Sequence, residues 1–179
     1  MIFEEKTMKC DTIYEGKLLN LKIKTVELPD MKYSKREIVE HPNGVATIPI
    51  LNDDKMIMVK QYRKAVEKVM LEIPAGILEV NEEPKEAALR ELREETGYYT
   101  DKIKYMMEFY TSPGYCDEKI YLFLATDLKE GEAMPDPGES VEHEIYTIEE
   151  LVKMANRGEI VDSKTIIGIN IAKNYLISK

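Results

Sequence analysis

Cysteine and histidine are scarce in this sequence, which has two of each among its 179 residues. Cys10 and Cys116 lie too far apart to suggest a disulfide framework or a zinc site, so we expect two reduced thiols. His41 and His143 lie in no motif that requires an imidazole, and we interpret both as structural or surface residues. A zinc centre and a histidine base are therefore not expected.

Basic residues are outnumbered by acidic ones, with 25 Lys and Arg against 34 Asp and Glu and a net charge of −9. Because nucleic acids are bound through clustered Lys and Arg, this balance argues against nucleic acid as the main partner. It does not exclude small molecules that carry phosphate, since bound metal ions can reverse the local sign of the charge.

Long apolar runs, internal repeats and low-complexity tracts are also missing. The first ten residues contain no apolar core of signal-peptide length, and no run approaches the length that spans a membrane. We therefore expect a cytoplasmic protein without a membrane partner. A chain of 179 residues fits one domain, with at most a small appendage, and is long enough to bury a proper core.

The first forty-odd residues predict a small antiparallel β unit. Residues 17–28 alternate apolar and polar side chains, which is typical of a half-buried strand, and residues 35–40 predict a second strand. Such a unit could hardly be stable alone. We expect residues 1–42 to pack on the main domain or on a partner subunit, and residues 43–179 to form the main domain.

The rest of the chain alternates groups of strands with helices. Apolar runs on either side of residues 52–54 predict a β-hairpin, and residues 69–78 predict a further strand. Pro84 suits the first turn of the helix that follows, and Gly97 suits the left-handed position at its end. Strands are also expected on both sides of a loop at residues 111–118.

The C-terminal part predicts two further helices. Residues 127–141 are rich in proline, glycine and acid and predict a long mobile loop, which a short strand follows. Thr147 and Glu150 form a capping box for a helix that ends at Gly158, and residues 163–177 predict an amphipathic terminal helix. This order of elements predicts an α/β (α+β) fold with a mixed β-sheet sandwiched between helices.

The segment from Gly76 to Tyr98 carries acidic residues at the end of its predicted helix, where negative charge is unfavourable. Because the C-terminal end of a helix carries partial negative charge, Glu94 and Glu95 in its last turn are unfavourably placed. Glu91 and Glu95 lie one turn apart on one face, at the border of the buried stripe. Carboxylate oxygens on a rigid helix are ligands that Mg²⁺ or Mn²⁺ prefers. For the cluster alone, a solvated charge-rich helix remains an alternative.

The spacing extends well beyond this cluster. Gly76 is followed after five residues by Glu82, after seven more by Arg90-Glu91-Leu92, and then by Glu94-Glu95 and Gly97. This pattern resembles the signature of the Nudix hydrolases at every fixed position, with Tyr98 where an aliphatic residue is commoner. The resemblance implies a hydrolase that splits a nucleoside diphosphate linked to another moiety and that holds divalent metal ions, Mg²⁺ or Mn²⁺, on this helix.

The resemblance also implies a role for each residue of the signature. Glu91 and Glu95 would be metal ligands together with the carbonyl oxygen of Ala75, which Gly76 allows to approach closely. Glu94 would assist them, Arg90 would orient the glutamates, and Glu82 would support this arrangement.

The flanking sequence resembles the ADP-ribose pyrophosphatase subgroup. Pro113 lies sixteen residues beyond Gly97, as in that subgroup, although Ser-Pro-Gly is also an ordinary turn. The runs at residues 36–42, 59–63 and 72–76 resemble it as well. The resemblance implies hydrolysis of ADP-ribose to AMP and ribose 5-phosphate by a homodimer whose N-terminal strands pair with the second subunit.

Two alternatives remain open at this stage. One is the same chemistry on another nucleoside diphosphate derivative: a nucleotide sugar, a dinucleoside polyphosphate or a nucleoside triphosphate. The other is a non-catalytic module that binds ADP-ribose as a sensor. Such modules would be expected to lack signature glutamates, and Glu91, Glu94 and Glu95 are all present.

The subgroup also implies a set of substrate contacts. These are Arg36, Glu37, Arg63, Ile77, Ser112 and Pro113. Arg63 alone would equally suit a surface guanidinium at the end of a strand. An aromatic residue to stack on adenine is not evident, since Lys17 and Leu18 occupy that region with Tyr14 nearby.

The catalytic base is expected in the acidic loop. Relatives place a glutamate on a mobile loop after the helix, and Glu139 aligns best as the base or as a further metal ligand. Glu142 and Asp136 are alternatives. Any one of these acids could equally serve only to keep the loop soluble.

Overall fold

The computed structural model describes residues 2–52, 54–133 and 141–177, and the chain divides into two compact units. One unit comprises Met1–Asn43 with Phe109–Lys119, and the other comprises Gly44–Glu108 with Ile120–Lys179. The helices are α1 (Pro84–Thr96), α2 (Ile148–Asn156) and α3 (Ser163–Ile177). The strands are β1 (Lys6–Glu15), β2 (Asn20–Leu28), β3 (Lys32–Glu40), β4 (Gly44–Leu51), β5 (Lys55–Arg63), β6 (Lys68–Glu72), β7 (Ala75–Ile77), β8 (Tyr98–Tyr99), β9 (Lys102–Tyr110), β10 (Lys119–Thr126), β11 (Lys129–Glu130) and β12 (Glu142–Thr147).

The first unit is built on an antiparallel sheet in the order β1-β2-β3. Strands β2 and β3 confirm the two strands predicted near the start of the chain, with a one-turn 3-10 helix at Pro29–Met31 between them. Strand β1 was not predicted. The segment before β10 joins this unit, because Val39 N–H donates to Tyr115 O at 2.7 Å and Asp117 N–H donates to Val39 O at 3.2 Å.

The second unit contains the larger sheet, in the order β12-β5-β4-β10-β9, with β6 paired to β5 and β7 paired to β4. Strands β4 and β10 run parallel, whereas β5 runs antiparallel to β4 and to β12. The sheet is therefore mixed, as predicted. Among the described residues, no helix is both long enough and apolar enough to cross a membrane.

Strand β4 shows why the sheet needs a helix on each face. Seven of its eight residues are buried, and successive side chains of a strand point to opposite faces. Thr47 Oγ1 donates to Ala88 O of α1 at 3.2 Å, whereas the adjacent Ile48 packs beside Gly168 of α3. Helices α1 and α3 thus cover opposite faces of β4, which confirms the predicted sandwich.

The predicted helix signals are also found. Pro84 occupies the start of α1, and Gly97 ends it with φ of 78°. Thr147 and Glu150 form both hydrogen bonds of a capping box at the start of α2. The predicted terminal helix is α3, and most of its buried residues are small: they are Thr165, Gly168, Ile169 and Ala172. These small residues let α3 lie close to the sheet.

The strand predicted at residues 69–78 is in fact two strands. Strand β6 pairs with β5 and ends at Glu72, whereas β7 begins at Ala75 and pairs with β4. Ile73 and Pro74 lie between them, and Pro74 has no N–H with which to continue a ladder. The chain crosses at this point from one neighbouring strand to another, immediately before Gly76.

Candidate active site

Helix α1 carries the candidate site on the border of its buried face. Ala87 and Ala88 pack with Val45 and Phe123 in a fully buried apolar cluster. This packing fixes the rotation of the helix, so that Glu95 on the adjoining face is only 6% exposed. A carboxylate with so little contact with water requires hydrogen-bond or cationic partners.

Both carboxylate oxygens of Glu95, which lies on α1, accept hydrogen bonds from strand residues. Ala75 N–H donates to Oε2 at 2.9 Å, and Gln61 Nε2 donates to Oε1 at 3.3 Å. The carboxylate is thus tied to the start of β7 and to β5. These contacts fix its position.

Glu91 lies one turn before Glu95 and approaches the next residue of β7. A β-carbon built on Gly76 would lie 2.0 Å from Glu91 Cδ and 2.1 Å from its Oε1. The carboxylate therefore occupies the space that any other side chain at position 76 would need. The carboxylates of Glu91 and Glu95 thus lie beside two consecutive residues, Gly76 and Ala75 respectively.

Arg90 is the shared partner of the other signature glutamates. Its guanidinium pairs with Glu82 at 2.9 and 3.0 Å, with Glu91 at 2.7 Å and with Glu94 at 2.9 Å, and Nη2 donates to Ile77 O at 3.2 Å. Hydrogen bonds from Arg90 hold the pKa of Glu82 below its usual range. The same contacts raise the pKa of Arg90, which stays fully charged.

These contacts compensate the charge of Glu94, one of the two glutamates in the last turn of the helix. One guanidinium, itself about a quarter exposed, neutralises part of the charge of three carboxylates. Arg90 and Glu94 lie four residues apart on the helix, a spacing that favours an ion pair, and Arg90 Nη1 lies 2.9 Å from Glu94 Oε2.

Arg63 forms a second cluster at the end of β5. Its Nε and Nη2 donate to the two oxygens of Glu72, each at 2.7 Å. Glu72 is 1% exposed, and its Oε2 also accepts a hydrogen bond from Lys164. Burial alone would raise the pKa of Glu72, but the hydrogen bonds and charges of Arg63 and Lys164 outweigh burial and lower that pKa.

The remaining predicted contacts are distributed over both units. Ile77 is exposed at the end of β7. In the first unit, Arg36 of β3 forms a bidentate ion pair with Glu5, with contacts of 2.9 and 2.5 Å, and Glu37 is exposed. Ser112 and Pro113 belong to a turn in which Ser112 O accepts Tyr115 N–H at 3.1 Å, which agrees with the ordinary-turn interpretation of that motif.

The candidate bases are only partly described. Glu139 and Asp136 lie outside the described residues. Glu142 is exposed and begins β12, where it lies opposite Lys60 of β5. Lys60 is the neighbour of Gln61, so β12 starts beside the strand that contacts Glu95.

The donor chemistry fits a divalent cation, although the carboxylates are few. Among the described residues, no group of three His, Cys, Asp or Glu converges as a metal site would require. Two carboxylates, Glu91 and Glu95, do converge on the Ala75–Gly76 backbone. Oxygen donors of this kind suit Mg²⁺ or Mn²⁺ rather than softer metals. The backbone carbonyl of Ala75 and a further carboxylate would complete such a set.

Gln61 and Glu72 support the site but were not predicted as site residues. Gln61 contacts Glu95 and Glu72 holds Arg63. Gln61 and Arg63 are two residues apart on β5 and thus share one face of the strand. The two-residue spacing could have predicted that Gln61 and Arg63 face the same side of the sheet. It could not have predicted their partners, because these lie elsewhere in the sequence.

Comparison with known proteins assigns the chain to a family. The NUDIX domain model matches residues 40–166, and the chain belongs to this family. An ADP-ribose pyrophosphatase of Bacillus subtilis is 46% identical over 168 residues, which cover 93% of this chain and 91% of that protein. A methanol dehydrogenase activator of Bacillus methanolicus is 46% identical over 170 residues, covering 94% and 92%.

A solved structure shares the fold. The crystal structure of an ADP compounds hydrolase matches with a TM-score of 0.88 and 18% identity, covering 99% of this chain and 97% of that one. At this identity the likeness shows the fold alone. The mixed sheet and the helices α1, α2 and α3 thus form a fold that this hydrolase shares.

Proposed function

We propose that the protein hydrolyses the pyrophosphate bond of ADP-ribose to AMP and ribose 5-phosphate with Mg²⁺, or alternatively Mn²⁺. The observation that carries this proposal is the convergence of Glu91 and Glu95 on Ala75 and Gly76. Two further observations support the proposal. The chain contains the complete signature of a family of hydrolases, and a relative that is 46% identical is named an ADP-ribose pyrophosphatase.

The charged signature residues at the end of α1 each have a defined part in this proposal. Glu91, Glu95 and the carbonyl of Ala75 would hold the cation, and Glu94 would assist them. A bound divalent cation supplies Lewis-acid stabilisation of the phosphate charge and lowers the pKa of water. Arg90 orients Glu91 and Glu94 through its hydrogen bonds at 2.7 and 2.9 Å.

Proton transfer from the attacking water is assigned to Glu139. It lies in the acidic loop, outside the described residues. The residues after this loop are paired to β5, where Glu142 lies opposite Lys60. Since Gln61, the neighbour of Lys60, contacts Glu95, the loop returns to the strand that supports the proposed site.

The proposed substrate contacts are the six residues implied by the subgroup resemblance. They are Arg36, Glu37, Arg63, Ile77, Ser112 and Pro113. Arg63 has 40% of its side chain exposed while it pairs with Glu72. An arginine fixed by a buried carboxylate is pre-organised, so it loses little freedom when it meets a phosphate.

The direct test is incubation with ADP-ribose and Mg²⁺, followed by chromatographic separation of the products. We expect equal amounts of AMP and ribose 5-phosphate, no products in EDTA, and recovery when Mg²⁺ is restored. The same assay on a nucleotide sugar, a dinucleoside polyphosphate and a nucleoside triphosphate tests the alternative substrates. No AMP from ADP-ribose with any divalent metal would refute the proposal.

A second candidate function comes from the relative in Bacillus methanolicus. That protein is named an activator of methanol dehydrogenase, and its identity to this chain equals that of the pyrophosphatase. Activation of a dehydrogenase is tested by adding this protein to a methanol dehydrogenase assay. The Glu95→Gln variant in the same assay distinguishes an effect that requires hydrolysis from one that requires only binding.

We also propose a homodimer formed through residues 1–42. Nine of the ten residues of β1 are exposed, and Met8, Ile13 and Tyr14 are large apolar or aromatic residues about half exposed. Sedimentation velocity of the full chain tests the assembly, and a monomer at micromolar concentration would refute it. The cytoplasmic location and the lack of a nucleic acid partner stay predictions from composition.

A further inference from the structure

The segment Ile73–Pro74–Ala75 connects β6 to β7 and carries the backbone of the proposed metal site. Pro74 has no N–H, so the segment has two backbone donors. Ala75 N–H donates to Glu95 Oε2 at 2.9 Å. Ile73 N–H donates to the hydroxyl of Thr165 in α3 at 2.9 Å. Both N–H groups thus donate to side chains of helices and not to the backbone of a neighbouring strand.

Thr165 is fully buried and has its hydroxyl fixed in one direction. Its Oγ1 donates to Asp162 Oδ2 at 2.6 Å, and Thr165 N–H donates to the same oxygen at 3.0 Å. Asp162 O accepts Ile166 N–H at 3.0 Å, which identifies Asp162 as the N-cap of α3. Because the only hydroxyl proton goes to Asp162, the lone pairs of Thr165 are directed to Ile73.

The first turn of α3 holds the residue before Ile73 as well. Lys164 Nζ donates to Asp162 Oδ1 at 3.1 Å and also to Glu72 Oε2. Glu72 and Ile73 are therefore both attached to α3, at the last residue of β6 and the residue after it. An ordinary buried threonine needs one partner for its hydroxyl. The hydroxyl of Thr165 instead connects Asp162 to Ile73 by hydrogen bonds, and the backbone continues from Ile73 to Ala75, which binds Glu95.

We propose that Thr165 is a positioning residue for the metal site, an inference that rests on the proposed function. Its hydroxyl, held by Asp162, fixes Ile73 and thereby sets the turn at Pro74 that brings the N–H of Ala75 to Glu95. Thr165 contacts neither substrate nor metal. Its effect is on how well Ala75 and Glu95 are placed before a cation binds.

The test uses two substitutions at Thr165 in the full chain. Thr165→Val keeps the shape of the side chain and removes the acceptor for Ile73 N–H, whereas Thr165→Ser keeps the acceptor. Mn²⁺ is titrated into each protein by calorimetry, and amide exchange of Ile73 and Ala75 is followed by NMR without metal. Ile169→Val is the matched control, since Ile169 is buried on the same helix face but has no contact of this kind.

We expect Thr165→Val to weaken Mn²⁺ binding by about tenfold, as is typical when a supporting contact is lost, and to speed the exchange of both amides. Thr165→Ser and Ile169→Val should bind Mn²⁺ within about twofold of the unmodified protein. Should Thr165→Val fail to fold, Asp162→Ala replaces it, because the hydroxyl then loses its fixed direction.

Unchanged Mn²⁺ affinity in Thr165→Val would overturn the inference. So would a loss that Thr165→Ser shares or that Ile169→Val reproduces, since the cause would then be general destabilisation. ADP-ribose hydrolysis by the unmodified protein is measured in parallel. A protein that binds Mn²⁺ but releases no AMP refutes the proposed function alone, because affinity and exchange are read without turnover.

Discussion

The carboxylate of Glu91 lies against the α-carbon of Gly76, where an added β-carbon would be 2.0 Å from Glu91 Cδ. Among the described glycines, the left-handed backbone occurs at Gly97 and Gly158 and not at Gly76. Space is therefore the reason for glycine at position 76. The contact links the first residue of the Nudix signature to a proposed metal ligand fifteen residues later.

The substitution Gly76→Ala should inactivate the enzyme without unfolding it. The clashing atoms belong to the flexible end of a glutamate, so we expect the free energy of unfolding to change by about 1 kcal/mol. The displaced carboxylate should cost roughly 100-fold in kcat for ADP-ribose hydrolysis. Gly114→Ala is the matched control, because a β-carbon there meets nothing within 4 Å. Similar activities of the two variants would contradict the assignment of Glu91.

Removal of the charge at Glu95 should be as damaging to turnover. In Glu95→Gln the oxygen that accepts Ala75 N–H can be kept, so we expect a folded protein whose kcat falls on the order of 100-fold. The Mg²⁺ concentration needed for half-maximal activity should also rise. Glu86→Gln serves as the control, since Glu86 is exposed in the first turn of the same helix. Full activity in Glu95→Gln would overturn its assignment as a ligand.

The boundaries of the helices were predictable because their signals are local. The proline and glycine of α1 and the capping box of α2 lie within a few residues of the helix ends they mark. The relation between Glu91, Glu95 and Arg90 is equally local, since it depends only on the helical repeat. The family signature then added the distant Gly76.

Strand β1 and the break between β6 and β7 were not predicted, because both depend on how the strands pair in the fold. Strand β1 has register shifts between Thr7 and Lys9 and between Thr12 and Tyr14, which break the two-residue period on which a strand prediction depends. The break between β6 and β7 comes from a change of partner strand, and partners cannot be read from the run itself.

The supporting contacts of the site could not be predicted for the same reason. Gln61 and Glu95 are 34 residues apart, and Ile73 and Thr165 are 92 apart. Taken alone in the sequence, each residue of such a pair could equally be an ordinary strand or helix residue with no part in the site. Only the fold shows that these side chains meet, and it also replaces the surface interpretation of Arg63 with an ion pair to a buried glutamate.

The ion cluster at Glu72 should make stability depend on pH. Its folded pKa lies below the ordinary value of 4.5, so the ionised form stabilises the fold. That contribution is complete above the unfolded pKa and is lost as the pH falls through the folded pKa. We expect Glu72→Gln to cost about 2 kcal/mol near neutral pH, and the difference from the unmodified protein to shrink below about pH 4.5.

Urea unfolding of both proteins at several pH values measures this difference. Glu149→Gln is the control, because its ion pair with Lys153 is exposed, with 78% and 60% of the side chains accessible, and exposed pairs contribute little. A gap between Glu72→Gln and the unmodified protein that stayed constant down to acidic pH would show that packing, and not charge, explains the effect.

Glu139 and Glu142 give the decisive comparison for the catalytic base. A general base typically contributes about 10²- to 10⁴-fold to the rate, so Glu139→Gln should lower kcat by at least about 100-fold with little change in KM. Glu142→Gln should retain nearly full activity, because Glu142 is exposed in a strand paired to β5. If Glu142→Gln shows the loss instead, the base lies at the start of β12, and its neighbours on β5 become part of the catalytic arrangement.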